Sequence, residues 1–184
     1  MFHDHVRVDV AAAKDAAEVS RVAAITFPLA CPAAMPSADM AAFVDQHLTK
    51  DNFSRYIASE QHRVLVLREA SSIVGYALIA LDSPPEPRGA TLDDPAISEA
   101  TGTTELSKFY LLPNHHGRGH ATLLMRHVLA AARAGQQRIW LGVNQQNHRA
   151  QSFYQRNGFT QAGTRDFPVG ASIERDLLLA RPLG

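Results

Sequence analysis

The chain has 184 residues, a length that suits one domain with a substantial core. Hydrophobic residues make up 46% and charged residues 20%, which is typical of a globular protein and argues against extensive disorder. The 18 basic and 18 acidic side chains cancel, so no long-range field attracts nucleic acid or an anionic membrane, and we expect neither as a partner.

The cysteine content and the N-terminus bear on the cellular compartment. Cys31 is the only cysteine, which excludes an internal disulfide and a cysteine-based zinc cluster. Residues 1–5 lack the basic start and apolar run of a secretory signal, and no apolar stretch is long enough to span a membrane. We therefore expect a cytoplasmic protein.

The first sixty residues predict one strand and then helices. Apolar and polar residues alternate over 6–10, as in a half-buried strand. Apolar residues at helical spacing over 16–27 predict a helix that ends at Pro28. Ser37 is the predicted N-cap of a second helix, and apolar residues over 53–57 indicate a short third one.

The middle of the chain predicts a hairpin and a long connection. Apolar runs at 64–67 and 73–81 flank a polar turn and favour two antiparallel strands. Residues 82–104 contain four prolines and two glycines, and a connection this long is either functional or poorly ordered. We reject an interdomain linker, because neither flank would keep a complete core.

The second half predicts alternating strands and helices followed by a hairpin. The elements are a strand over 105–112, an amphipathic helix from Gly119 to near Gly135, a buried strand over 138–143, a helix over 150–157, and strands over 159–167 and 172–179 around a turn at 168–170.

The loop His116–Ala121 joins the central strand directly to a helix. Unpaired N–H groups and the dipole at a helix N-terminus attract anions, and Gly117 and Gly119 allow close backbone approach. The Walker pattern fails because His120 stands where lysine is needed, and Thr122 replaces the third glycine of a dinucleotide fingerprint. Taken alone, the two glycines are more often a tight turn before a helix than a phosphate site.

Two longer segments carry a family resemblance. The first segment, residues 109–121, ends in the run Leu112-Pro113-Asn114-His115-His116-Gly117-Arg118-Gly119-His120-Ala121. The second segment, residues 147–159, begins with Asn147 and continues with Ala150, Phe153-Tyr154 and Gly158-Phe159. Together they resemble the coenzyme A signatures of the GCN5-related N-acetyltransferase (GNAT) family. Two signatures in this order are far more specific than either alone. His116 and His120 depart from the usual residues, although neither removes a glycine or a backbone donor.

The resemblance implies an α/β fold in a single domain over 1–184, with a mixed sheet of six to seven strands and four to five helices. Residues 6–60 would form the acceptor side, and residues 105–159 the acetyl-CoA-binding core. Acetyl-CoA would be the donor, with the Phe109 backbone bonding the acetyl carbonyl and Leu111 the pantetheine arm. The implied cofactor-binding residues are Phe109, Leu111, Leu112, His116, Gly117, Arg118, Gly119, His120, Ala121, Thr122, Asn147, Phe153 and Arg156.

Two side chains are candidates for proton transfer. The resemblance makes Tyr154 the acid that protonates the departing thiolate, although an aromatic residue filling the core would fit the same pattern. Glu105 stands where some protein-acetylating relatives carry a catalytic glutamate. Partial burial would raise its pKa and suit it to accept a proton, directly or through water, whereas the alternative is a solvent-facing charge at a strand end.

The nine histidines do not predict a metal site. His115 and His116 are adjacent, and adjacent side chains on a loop rarely converge on one ion. His116 and His120 lack the glutamate of a His-Glu-x-x-His motif, because Gly117 follows His116. Trp140 is predicted to be a core residue.

The acceptor is expected to be a small-molecule amine, such as a polyamine or amino compound, bound by a monomer or homodimer. Phe27, Phe43 and Tyr56 are candidates for an apolar acceptor wall or for plain helix packing. Acidic residues 93, 94 and 99 would either attract an ammonium group or form a solvated loop. The alternatives are a protein acetyltransferase, which needs an open groove, and a non-catalytic acyl-CoA sensor.

Overall fold

The computed structural model describes residues 6–86, 89–133 and 135–184. Segment 1–5, whose sequence predicts no secretory signal, and Pro87 of the long connection lie outside the described residues. The helices and strands are β1 (Val6–Val10), α1 (Ala16–Ala30), α2 (Ser37–His47), α3 (Lys50–Ala58), β2 (His62–Glu69), β3 (Ser72–Ala80), β4 (Ala90–Leu92), β5 (Thr103–Leu111), α4 (His120–Ala132), β6 (Arg138–Asn144), α5 (His148–Arg156), β7 (Thr160–Val169) and β8 (Ser172–Pro182).

Within those ranges, eight strands form one sheet in the order β1-β2-β3-β5-β6-β8-β7-β4. Every neighbouring pair is antiparallel except β5 and β6, which are parallel. The predicted mixed α/β sheet is confirmed, with one strand more than the six to seven expected. The extra strand is β4, which belongs to the connection that the sequence left without structure.

Helices cover both faces of the sheet, because its central strands carry apolar side chains on both sides. On one face, Leu67, Ile79 and Ile139 pack with the apolar stripe of α4, including Leu124 and Val128. On the other face, Tyr76 and Leu78 pack with α1 and α3. The sheet is therefore the middle layer of three.

The ends of α1 and α2 differ from the sequence prediction. Pro28 was expected to end α1, but the helix continues to Ala30. A proline in the last turn costs one backbone hydrogen bond and leaves few later ones to disrupt. Ser37, predicted as an N-cap, is instead the first residue of α2. Pro36 is the N-cap, and its carbonyl accepts hydrogen bonds from the N–H groups of Asp39 and Met40.

Part of the connection over 82–104 pairs with the far edge of the sheet. β4 pairs with β7, and a Cβ on Gly163 would lie 2.3 Å from the carbonyl oxygen of Thr91, so glycine permits this close approach. Ile97 is fully buried in a small cluster with Trp140, which confirms that the tryptophan is a core residue. The predicted turn at 168–170 lies slightly later, at Gly170 and Ala171.

Candidate active site

A cleft opens where β5 and β6 separate. The two strands pair only over Thr103–Glu105 and Arg138–Trp140, although both continue well beyond these residues. The separated parts of both strands line a cleft of about 570 Å³, together with the His116–Thr122 loop, α5, the end of α1 and the β7–β8 hairpin. This volume is in the usual range for a small-molecule site.

The glycine-containing loop forms one end of the cleft. Gly117 and Gly119 have φ values of 74° and 79°, a left-handed conformation that glycine adopts at little cost. Gly119 is the N-cap of α4, so the N–H groups of the first helical turn have no intrahelical acceptor. A Cβ on either glycine would meet no atom within 4 Å, so open space lies beside the loop. The loop thus offers the donors and the room that a phosphate group needs.

Side chains tie this loop to the rest of the sheet. Nε2 of His116 lies 2.9 Å from the carbonyl oxygen of Leu111, at the end of β5. The Glu69 carboxylate at the end of β2 lies 3.2 Å from Nη1 of Arg118 and 3.1 Å from Nδ1 of His115. Sequence reasoning missed Glu69, because nothing in the chain order indicates that the β2–β3 hairpin reaches the loop.

The α5 side of the cleft is aromatic. Phe109 of β5 stacks on Phe153 with ring centroids 5.6 Å apart, and Tyr154 lies edge-on to Phe109 at 6.2 Å. Among the described residues the Tyr154 hydroxyl makes no hydrogen bond, and burial raises its pKa. The group therefore stays protonated at neutral pH and is free to donate into the cleft.

Asn147 is the N-cap of α5, where its Oδ1 accepts a hydrogen bond from the backbone N–H of Ala150 at 3.1 Å. Asn147 also lines the cleft, so one side chain both begins the helix and faces the site.

Most of the residues predicted to bind the cofactor meet at this cleft, but four predicted site residues do not line it. Those that do are Phe109, Leu111, His116, Gly117, Gly119, Ala121, Thr122, Asn147, Phe153, Arg156 and the candidate acid Tyr154. Leu112 packs against both core layers, Arg118 pairs with Glu69, and His120 is buried beside His115. Glu105 is the fourth.

Glu105 lies behind the cleft wall and not at a solvent-facing strand end. Its Oε2 accepts a hydrogen bond from Ser83 Oγ at 3.5 Å, and it is only partly exposed. Burial raises its pKa, while Arg165, Lys108 and the Ser83 hydrogen bond oppose the rise. The expected direction of the shift is therefore present, but any contact with an acceptor is indirect.

An ion pair on the acceptor side was not identified from the sequence. Arg165 of β7 donates from Nη2 to Oδ2 of Asp176 on β8 at 3.2 Å, and its guanidinium packs on Trp140 and Phe167 at 5.4 and 5.0 Å from the ring centroids. A Cβ on Gly142 would lie 2.5 Å from Arg165 Nη2, so a side chain there would displace the ion pair. The sequence did contain one signal for this pair. Asp176 directly precedes three leucines in a predicted strand, which indicates a buried carboxylate, and a buried charge needs a partner.

Two of the three aromatic residues named as candidates for an apolar wall line the cleft. Phe27 and Phe43 stack with centroids 4.3 Å apart, and both line the cleft. Tyr56 does not, because it packs on Phe53 and His62 inside the α3 layer. The acidic residues 93, 94 and 99 also lie away from the cleft, and Glu99 pairs with Arg138 at 3.4 Å.

No helix in the described parts of the chain is long and apolar enough to cross a membrane. Over the same parts, no group of three or more His, Cys, Asp or Glu side chains is placed to hold a metal ion.

The sheet is split between two parallel strands, and a glycine-containing loop with free backbone N–H groups lies at one end of the split, an arrangement suited to a phosphate-bearing ligand. The model of the acetyltransferase (GNAT) family matches residues 33–159. An uncharacterised N-acetyltransferase of Mycobacterium tuberculosis is 45% identical over 170 residues, which cover 92% of this chain and 98% of that one. The chain therefore belongs to the GNAT family. It is an acetyl-CoA-dependent N-acetyltransferase, and acetyl-CoA is its donor.

Solved structures share the fold at low identity. The PaiA N-acetyltransferase of Thermoplasma acidophilum, in complex with coenzyme A, has a TM-score of 0.75 and 15% identity, covering 97% of this chain and 99% of that one. The ribosomal-protein-S18-alanine N-acetyltransferase of Escherichia coli has a TM-score of 0.67 and 16% identity, covering 98% and 95%.

Proposed function

We propose that this enzyme acetylates a small primary amine, such as a polyamine or another amino compound, by direct attack on the thioester. The observation that carries this proposal is that α2 is fastened across the acceptor side of the cleft. Asp39 of α2 accepts hydrogen bonds from the backbone N–H of Ala171 at 3.1 Å and from Ser172 Oγ at 2.6 Å, at the tip of the β7–β8 hairpin. Phe43 of α2 lies 5.7 Å from Phe167 of β7, ring centroid to centroid.

This contact favours a small acceptor over a polypeptide. A protein acetyltransferase needs an open groove through which a chain can lie across the thioester. In this protein the end of α1, α2 and the hairpin enclose the space next to Tyr110 and Phe167. A compact amine fits between these walls without separating α2 from the hairpin.

The acceptor side also carries charges that suit an ammonium group. Asp176 and Glu174 of β8 line the cleft, and Arg165 neutralises only one of the two carboxylates. Asn144 at the end of β6 donates to Glu174 Oε2 at 3.2 Å, which holds that carboxylate at the cleft. An uncompensated negative charge in a partly enclosed space attracts a cationic amine.

The proposed roles in transfer follow the family resemblance. The first turn of α4 with Gly117 and Gly119 binds the pyrophosphate, and Asn147 and the Leu111 backbone hold the pantetheine arm. The Phe109 backbone stabilises the oxyanion, since fixed dipoles aimed at developing charge are the largest catalytic contribution in many enzymes. Tyr154 protonates the departing thiolate, which agrees with its free hydroxyl and raised pKa.

Glu105 is the proposed final proton acceptor, reached through water or another group because it does not line the cleft. Its raised pKa brings it closer to neutral pH than an ordinary glutamate, which improves a carboxylate as a base.

The test is coenzyme A release across an amine panel that contains polyamines, arylalkylamines, amino acids, an N-terminal peptide and a lysine peptide. We expect small amines to exceed both peptides in kcat/KM. Faster turnover of a peptide would favour a protein acetyltransferase. Protection by acetyl-CoA against thermal unfolding without turnover of any amine would favour a sensor.

A further inference from the structure

Lys108 is a lysine in the wall of the cleft that forms no ion pair with any acidic residue that the structure describes. It lies on β5 immediately before Phe109 and, unlike Glu105, it lines the cleft. Its only hydrogen bond among the described residues is from Nζ to Ser107 Oγ at 3.5 Å, and no carboxylate of those residues lies within 4.0 Å. A lysine enclosed without a counter-ion is unusual, because burying an ammonium group is costly.

The side chain of Lys108 lies on the acceptor face of the sheet. It is opposite Leu78 in the register of β3 and β5, and Leu78 belongs to the core layer of α1 and α3. Phe109 packs on the opposite layer, with Phe153 and Tyr154 of α5. β5 therefore separates the two groups, with Lys108 on the side from which the amine approaches and Tyr154 on the side of α5.

The groups around Lys108 favour its neutral form. Burial lowers its pKa and Arg165 of β7, which is paired with Asp176 of β8, lowers it further, while Glu105 on its own strand opposes the shift. His62 of β2 is also within electrostatic reach of Lys108, and burial lowers the pKa of His62 too. Since burial raises the pKa of Glu105, the lysine and the glutamate approach each other in proton affinity.

We propose that Lys108, as a neutral amine, takes the proton from the acceptor's ammonium group and so generates the nucleophile. This inference rests on the proposed function. The acceptor ammonium loses one proton to Lys108, its nitrogen bonds to the acetyl carbon, and the carbon–sulfur bond breaks. Tyr154 gives its proton to the departing sulfur and regains one from the same nitrogen. Lys108 then passes the proton that it took from the ammonium group to solvent through Glu105.

The first experiment measures protonation without turnover. The chain contains three lysines, and Lys14 and Lys50 are exposed, so lysine-labelled protein gives three Cε resonances with two internal controls. Lys14→Met and Lys50→Met assign the spectrum and leave Lys108 in place. We expect the remaining resonance to titrate at lower pH than the other two. If Lys108 titrates together with Lys14 and Lys50, the proposal is overturned.

The second experiment measures kcat/KM against pH for the best amine of the panel. We expect Lys108→Met to lower kcat/KM about 100-fold below the amine's own pKa, with the loss shrinking above it, because the acceptor is then already deprotonated. Lys108→Arg supplies a permanent positive charge that cannot lose a proton, so it should be equally impaired. Wild-type rates in Lys108→Arg, or a loss that is independent of pH, would assign the residue an electrostatic role instead.

The two proposals fail in different ways. If the wild type acetylates no amine, the proposed function fails and the role of Lys108 with it. If the wild type is active but the titration or the arginine variant gives the contrary result, only the role of Lys108 is lost. Acetyl-CoA protection against thermal unfolding checks that each variant is folded and binds the donor.

Discussion

Replacing Arg165 by methionine should destabilise the fold far more than removing a neighbouring arginine from the same two strands. Arg165 and Asp176 face each other across β7 and β8, and their side chains are 22% and 8% exposed. One position further along, Asp166 and Arg175 form the reversed pair at 3.6 Å, with side chains 55% and 51% exposed. Arg175→Met is therefore a matched control.

The expected magnitudes differ because only one pair is desolvated. Removing one partner of a buried pair costs roughly 3–5 kcal/mol, and the partial exposure of Arg165 places Arg165→Met near the lower end, about 3 kcal/mol. Exposed pairs contribute about 0–1 kcal/mol, so Arg175→Met should lie in that range. For a chain of this length, the larger loss corresponds to a fall in Tm of about 6–12 °C.

The loss in Arg165→Met should also depend on pH. Burial raises the pKa of Asp176 and Arg165 opposes this, so without the arginine the folded-state pKa rises further above the unfolded value. The destabilisation caused by the unpaired Asp176 carboxylate is therefore complete above the folded-state pKa of Asp176 in the variant. It disappears below the unfolded-state pKa of about 4, where the carboxyl is protonated in both states.

Urea unfolding of the wild type and both variants at neutral and acidic pH measures this directly. Equal losses in Arg165→Met and Arg175→Met, or a loss in Arg165→Met that grows as the pH falls, would refute the reasoning.

Three further predictions concern activity. Tyr154→Phe should lower kcat about 100-fold while acetyl-CoA still protects against thermal unfolding, and a wild-type kcat would remove the tyrosine from thiolate protonation. Glu105→Gln should lower the rate and flatten its rise with pH; kinetics unchanged at every pH would exclude the carboxyl from the mechanism. Asp39→Ala, which loses hydrogen bonds to Ala171 and Ser172, should raise the amine KM about fivefold. An equal rise in the acetyl-CoA KM would show that the contact does not act on the acceptor side.

The donor side of the cleft was predictable because its chemistry depends on residues close in sequence. About a dozen consecutive positions contain the end of a strand, two glycines and the first turn of a helix. This local arrangement determines where the free N–H groups lie, and no distant contact is needed. Asn147, Ala150 and Tyr154 likewise share one short helix, so their spacing alone places them on neighbouring turns.

The anchoring of that loop was not predictable. Glu69 meets Arg118 and His115 only because β2, β3 and β5 are neighbours in the sheet. The prediction that Arg118 binds the cofactor used the local sequence and had no information about this competing carboxylate.

The tertiary structure alone determined which charged residues surround the proposed acceptor site and where the proposed base Glu105 lies. Glu105 and Lys108 are three residues apart, and a strict two-residue alternation would place them on opposite faces of β5. The register shift between Leu78 and Ile79 of β3 interrupts that alternation, so the two side chains lie on the same face of β5. Lys108 lines the cleft, whereas Glu105 lies nearer the start of the strand and does not. Arg165 and Asp176 meet through the pairing of β7 with β8, and Asp39 reaches the hairpin tip across more than 130 residues. Local sequence predicted the segment that we propose binds the donor's phosphates. Contacts between distant segments determined which charges lie at the proposed acceptor site, because long-range pairing leaves no periodic signal in the chain.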